Sequence, residues 1–170
     1  MAKPIAGGSL TALIYGYIRD SLHTKAIKIL EEQLLCFPES QAALSLLGYC
    51  DYYLGDFCAA ASAYEKLVQL QPMEQKYQIY LAQSLYKASM LGAAEKACLA
   101  VNGHCESVET LKACIKYEQH DIAGSRQIWD HSSDEDLDAT INLGCCLYKV
   151  QNSLSSVLIT SIVNLIFLRH

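Results

Sequence analysis

The stretch Gln41–Pro72, QAALSLLGYCDYYLGDFCAAASAYEKLVQLQP, holds two apolar runs of helical period separated by Gly55-Asp56. Leu44 and Leu47 fall on one face of the first run, the spacing that buries a helix against a neighbour. Gly48 is small where a second helix would cross closely. Gly55 tolerates positive φ, and Asp56 can accept hydrogen bonds from the free amides that open the next helix. Phe57 is placed to pack across that turn. Ala60 is small at the second crossing, and Tyr64 fills the space beside it. Pro72 closes the unit, where a helix can no longer continue. The stretch therefore predicts an antiparallel helix pair.

The pair repeats. Pro38 and Pro72 lie 34 residues apart, the tetratricopeptide period. An upstream unit spans about 7–38, with Leu10, Leu13, Tyr17, Ala26 and Leu30 on matching positions and Ile14 replacing the small residue. A third unit spans about 75–105, with Leu81, Ala82 and Ala94 in frame, and it ends about three residues short of the period at Asn102-Gly103-His104. A fourth spans about 106–136, with Ala113, Asp121, Ser125 and Trp129, and the first half of a fifth spans about 137–151, with Leu143, Gly144 and Tyr148. No segment alternates with period two, so no strand is expected. The expected fold is all-α: a superhelical solenoid of about four and a half tetratricopeptide-type repeats over 7–151. Nine helices are expected, with a tenth in the tail left as an open alternative. The run His131–Asp136 reads as a solvated connector, and 152–170 as an apolar tail outside the pattern.

Composition narrows the function. The 170 residues are 52% hydrophobic and only 18% charged, with a net charge of −5. The basic clusters that hold phosphates are missing, which argues against nucleic acid. Eight cysteines are present with no C-x-x-C pair, so they read as small core residues in a reducing compartment and not as metal ligands. His104 beside Cys105 is adjacency in sequence, which does not orient an imidazole onto a thiolate. Gly7-Gly8-Ser9 lacks the strand and spacing of a phosphate loop. No catalytic constellation emerges, so the chain reads as a non-enzyme with no cofactor and no metal.

What remains is a surface. One helical turn past the small position of each first helix stand Ile18, Tyr52, Tyr86, Tyr117 and Tyr148, the tyrosines spaced 34, 31 and 31 residues. Tyr15, Tyr49 and Tyr53 occupy neighbouring positions expected to face the groove. Tyrosine offers apolar area at low entropic cost plus a hydroxyl. These seven tyrosines are the candidate partner-binding residues, against the alternative that the rings only pack between helices. The groove positions that grip a terminal carboxylate in chaperone-tail binders carry Thr11, Ser45 and Ile79 with Tyr15, Tyr49 and Gln83, which argues against such a clamp.

Several strings narrow the reading further: Leu46-Leu47-Gly48-Tyr49-Cys50, Ala82-Gln83-Ser84-Leu85-Tyr86-Lys87-Ala88, Ala113-Cys114-Ile115-Lys116-Tyr117, Ile141–Lys149, and Thr11-Ala12-Leu13-Ile14-Tyr15. From about Leu10 to Gln151 the chain resembles the N-terminal part of the tetratricopeptide repeat protein 30 family, subunits of intraflagellar transport complex B. The resemblance implies a non-enzymatic scaffold of the cilium and cytoplasm that wraps a segment of a partner such as intraflagellar transport protein 52. It also implies support of kinesin-2-driven anterograde transport, cilium assembly and tubulin polyglutamylation. A generic cytosolic repeat adaptor and a tail-anchored repeat protein are the alternative readings. Against the last, a helix from Leu154 to Leu168 would span about 22 Å, short of the roughly 30 Å hydrocarbon core. A gene-model or isoform end explains the tail more simply.

Overall fold

The computed structural model describes residues 7–103, 105–130 and 141–152. The expected connector at 131–136 and the tail beyond 152 lie outside the described residues. Everything described is helix and turn. Two compact units are present, residues 1–103 and 104–170. The first contains three helix hairpins: α1 (Gly7–Arg19) with α2 (His23–Cys36), α3 (Gln41–Leu54) with α4 (Phe57–Leu70), and α5 (Gln75–Lys87) with α6 (Leu91–Ala100). They stack in chain order, α2 on α3 and α4 on α5. The second unit pairs α7 (Glu106–Glu118) with α8 (Ile122–Trp129), and helix α9 covers 141–152.

One turn geometry joins every hairpin. Gly55 ends α3 at φ 85° in the left-handed region. Ser21, Ser89 and His120 hold the equivalent places at φ 57°, 60° and 65°. In each case the next residue's amide reaches back to a carbonyl five residues earlier: Leu22 to Tyr17 at 2.8 Å, and Asp56 to Asp51, Met90 to Leu85 and Asp121 to Lys116 at 2.9 Å. These are Schellman closures, which satisfy carbonyls orphaned at a helix end. Asp56 and Asp121 then cap the following helices, accepting from the amides of Ala59 at 3.0 Å and Gly124 at 2.9 Å. The amide of Gly124 and the Lys116 ammonium together hold the Asp121 carboxyl below its ordinary pKa.

Side-chain size sets how closely the paired helices approach. Ala26, Ala60, Ala94 and Ser125 are each 0% exposed, one in every second helix at the same frame position. Ala82 and Ala113 are equally buried on the first helices, with Gly48 at the corresponding place on α3. A Cβ on Gly48 would stand 2.9–3.1 Å from the Tyr64 ring, so α3 carries glycine where that ring lies across it. Ile14 fills the small position of α1 and is buried with Ala26, Leu30, Ala43 and Cys50. Leu44, Ala60, Tyr64, Leu67 and Tyr77 form the next core. In the second unit, Ala113, Trp129 and Cys146 form a third, so α9 is seated on the α7–α8 pair. Side-chain amides fasten the open ends of two hairpins: Gln71 Nε2 donates to Gln41 Oε1 at 2.7 Å, and Gln75 Nε2 to the Asn102 carbonyl at 2.8 Å.

The short third period has a plain cause. Helix α6 has 10 residues where α2 and α4 have 14, so about one turn is missing from the second helix. The cysteine expectation needs correcting. All eight are free, but Cys50, Cys98 and Cys146 alone are buried; Cys36, Cys58 and Cys145 are exposed, and Cys105 and Cys114 are intermediate. An amphipathic helix leaves places for a small apolar residue on its wet face as well as in its core.

Asp51 is a buried carboxylate inside the repeat, only 7% exposed. Burial, then the nearby charges of Asp56 and Glu31, raise its pKa to about 6. Between the ordinary carboxylate pKa and about 6, the native state therefore binds a proton that the unfolded chain does not. Stability falls as pH rises through that window.

Three outcomes follow for stability, each read from urea midpoints with helix content followed by circular dichroism. Gly48→Ala destabilises by about 1–2 kcal/mol, because overpacking against Tyr64 outweighs the helix-propensity gain. Ser89→Gly stabilises by about 0.5 kcal/mol, since glycine relieves a left-handed conformation at some cost in unfolded-state entropy. Asp51→Asn stabilises at pH 7 by about 1 kcal/mol and flattens the pH dependence between about 4 and 6; an unchanged slope there would show that another group titrates.

Candidate functional site

The first-helix face of α3 and α5 is where the chain concentrates aromatic rings. Ser45, Tyr49, Tyr52 and Tyr53 stand at i, i+4, i+7 and i+8, one stripe of a helix. Together with Leu46 they form one wall of a cavity of about 390 Å³. Tyr80 and Gln83 of α5 form the opposite wall, and Tyr64 of α4 contributes from the core side. Tyr64 leans against Tyr80 with ring centroids 5.4 Å apart. It is held there by the crossing at Gly48, so one tyrosine serves both core and cavity.

The rings of the stripe support one another. Tyr49 and Tyr53 lie 4.5 Å apart between ring centroids, tilted at 41°. Tyr52 meets Phe57 edge-on at 5.3 Å. His23, the first residue of α2, stacks on Tyr53 at 5.7 Å and points edgewise at Tyr49 at 6.2 Å. Loss of water pushes the hydroxyl pKa of Tyr49, Tyr52 and Tyr64 upward, so these groups stay neutral donors and acceptors at physiological pH. The cavity thus offers apolar ring faces together with neutral hydroxyls that can donate and accept hydrogen bonds.

The seven predicted tyrosines differ in depth. Tyr15, Tyr49, Tyr53 and Tyr148 are exposed, Tyr53 by 62%, while Tyr52, Tyr86 and Tyr117 are half-buried. The structure brings together Tyr49, Tyr52 and Tyr53. Tyr15 on α1 and Tyr86 on α5 are not among the cavity's lining residues. Tyr117 and Tyr148 belong to the second unit, where the Lys149 ammonium sits 4.1 Å from the centre of the Tyr117 ring. At Tyr52, Tyr86 and Tyr117 the ladder position is the inner one, while Tyr148 at the same position on α9 is exposed; on α3 the positions three residues before and one after the ladder, Tyr49 and Tyr53, are open.

His23, Tyr64 and Tyr80 are the participants that sequence reasoning did not assign to the site. For His23 a signal existed, since it occupies the same frame position as Phe57, the residue that packs across the turn. Tyr80 stands three residues before Gln83, hence on the same face.

Cys105 opens α7. A hydrogen bond with Ser107 at 3.1 Å, then the amide of Val108, hold its thiol below the ordinary range. Its sequence neighbour His104 lies outside the described residues. Among the described residues no group of three or more His, Cys, Asp or Glu is placed to bind a metal, and no helix is long and apolar enough to cross a membrane.

Repeated Schellman turns, a buried small residue at each crossing and stacked hairpins define a helical-repeat protein of the tetratricopeptide type. Solved structures agree on the fold: MamA from Desulfovibrio magneticus RS-1 aligns with a TM-score of 0.74 at 15% identity, covering 92% of this chain and 93% of that one. A thermophilic TPR protein of Thermus thermophilus aligns at 0.61 and 13% identity, over 85% of this chain and 83% of that one. In sequence, the chain is similar to intraflagellar transport protein 70A. It is 42% identical over 150 residues to the Xenopus tropicalis protein, covering 87% of this chain and 23% of that protein. It is 39% identical over 158 residues to the Homo sapiens protein, covering 85% and 24%. Intraflagellar transport protein 70 is the same family as tetratricopeptide repeat protein 30. The chain spans about a quarter of the length of the curated relatives it matches. No family model matches it.

Proposed function

We propose that the chain is a non-enzymatic protein-binding scaffold of the intraflagellar transport protein 70 type, working in the cilium and the cytoplasm that supplies it. On this reading it wraps a segment of another complex B subunit, of the intraflagellar transport protein 52 type, along its first-helix face. Through that subunit it connects indirectly to kinesin-2 and supports anterograde transport, cilium assembly and tubulin polyglutamylation. The observation that carries the reading is the tyrosine-lined cavity between α3 and α5, in a chain whose relatives are named for intraflagellar transport. Tyr49, Tyr52 and Tyr53 are the residues assigned to partner contact at this cavity; Tyr15 on α1, Tyr86 on α5 outside the lining, and Tyr117 and Tyr148 in the second unit are the further candidates.

Exposure decides which variant tests the idea. Tyr52 packs on Phe57 and on the core around Tyr64, so its removal would confound folding with binding. Tyr49 and Tyr53 are open. The double variant Tyr49→Ala with Tyr53→Ala should keep its helix content and lose about tenfold or more in affinity for recombinant complex B subunits, the loss expected when central aromatic anchors are truncated. Unchanged affinity in a well-folded variant would overturn the assignment. A cytosolic adaptor unrelated to cilia would leave the parent chain without affinity for those subunits.

A further inference from the structure

The charge pattern around the tyrosine cavity says more about what it holds. The chain carries a net charge of −5, yet the ladder positions of α1, α3 and α5, with the positions three residues before and one after each, carry no carboxylate. Their two ionic residues are cations, Arg19 and Lys87, the last residues of α1 and α5. Arg19 is engaged with Asp20 at 3.0 Å. Lys87 has no carboxylate partner among the described residues, and it is exposed. Of the acidic residues on or beside the elements that form the cavity, Glu65 follows Tyr64 on the second helix α4 and is exposed, and three others are engaged or enclosed. Asp51 is buried, Asp56 caps α4, and Glu74 pairs with Lys76 at the far end of α5.

Lys87 stands one helical turn past Gln83, which lines the cavity. Residues four apart share a face and lie about 6 Å apart along the axis. An extended segment advances about 3.3 Å per residue, so that distance corresponds to about two residues of a bound chain. A cation at a helix C-terminus also complements the helix dipole, and that alone would explain its presence. It would not explain why the whole face lacks an opposing charge in an acidic protein.

Resting on the scaffold reading above, we propose that the cavity takes an extended segment of a partner protein with an apolar side chain among Tyr49, Tyr53 and Tyr80. A carboxylate two residues away on that segment is received by Lys87. The rings supply most of the contact, and the ammonium selects acidic over basic segments and fixes their register.

Three fluorescently labelled twelve-residue peptides test this by anisotropy against the full chain. Each carries one leucine in a Gly-Ser background, with aspartate, asparagine or lysine two residues from it. The aspartate peptide should bind about tenfold more tightly than the asparagine one, with the lysine peptide weakest and the difference shrinking at high salt. Lys87→Glu should reverse the order, Lys87→Gln should erase it, and Tyr53→Ala should weaken all three alike. If the three peptides bind equally and Lys87→Glu changes nothing while Tyr53→Ala still weakens them, the acidic preference is wrong and the aromatic groove stands. No binding of the aspartate peptide at about 1 mM, some 4 kcal/mol of affinity, overturns the proposal outright. Circular dichroism of each variant confirms that it is folded.

Discussion

A buried small residue at each helix crossing is the constraint on which the rest depends. Ala26, Ala60, Ala94 and Ser125 let the second helix of each pair lie close to the first. Close approach excludes large side chains from the crossing line, so the large rings must go elsewhere. Tyr64 shows the consequence most directly. Its ring crosses α3 at Gly48 and continues to the cavity, leaning on Tyr80. Packing inside the hairpin therefore shapes the surface outside it, and the cavity wall is as rigid as the crossing beneath it. The Schellman turns serve the same end, because each fixes where its second helix begins relative to the first.

Polar groups inside this frame are few, and they differ in how they are satisfied. Ser125 stands in for alanine at its crossing, with its hydroxyl 3.5 Å from the Cys146 sulfur, and Ser84 bonds back to the Tyr80 carbonyl at 2.8 Å. Those hydroxyls cost little because they have partners. Asp51 is different. It lies buried near Asp56 and Glu31, with its pKa raised by all three effects, so its ionised form works against the native state near neutral pH. That destabilising group sits on α3, the helix that carries Tyr49, Tyr52 and Tyr53.

How much of this was legible in the sequence varies by residue. The repeat was legible because its decisive residues are unusual ones: Gly48, Gly55, Asp56 and Ala60 each have a backbone or packing reason to be what they are. The turns at Ser21, Ser89 and His120 were less legible, since nothing about serine or histidine announces positive φ; only their distance from Gly55 does. The short third unit was visible as arithmetic, but its cause, a missing turn in α6, was not. For the tyrosines, periodicity gave the face and not the depth. Tyr52 is half-buried because Phe57 closes on it from the next helix, and Tyr53 is open because it meets neighbouring rings on one side and solvent on the other. Depth is a property of neighbours, and cysteine burial failed to follow residue type for the same reason.

The size of the cavity bears on how such a scaffold holds anything firmly. About 390 Å³ accommodates one or two side chains, and a single aromatic site of that kind supplies weak binding on its own. Neutral rings also avoid the desolvation cost that a buried charge pair would impose. On the scaffold reading proposed above, firm and selective holding would come from repetition, several modest sites reading successive residues of one segment. Each site after the first engages at high effective concentration, because the segment is already tethered. A solenoid suits this arrangement, since its period sets the spacing of the sites and a ligand segment need only match that spacing.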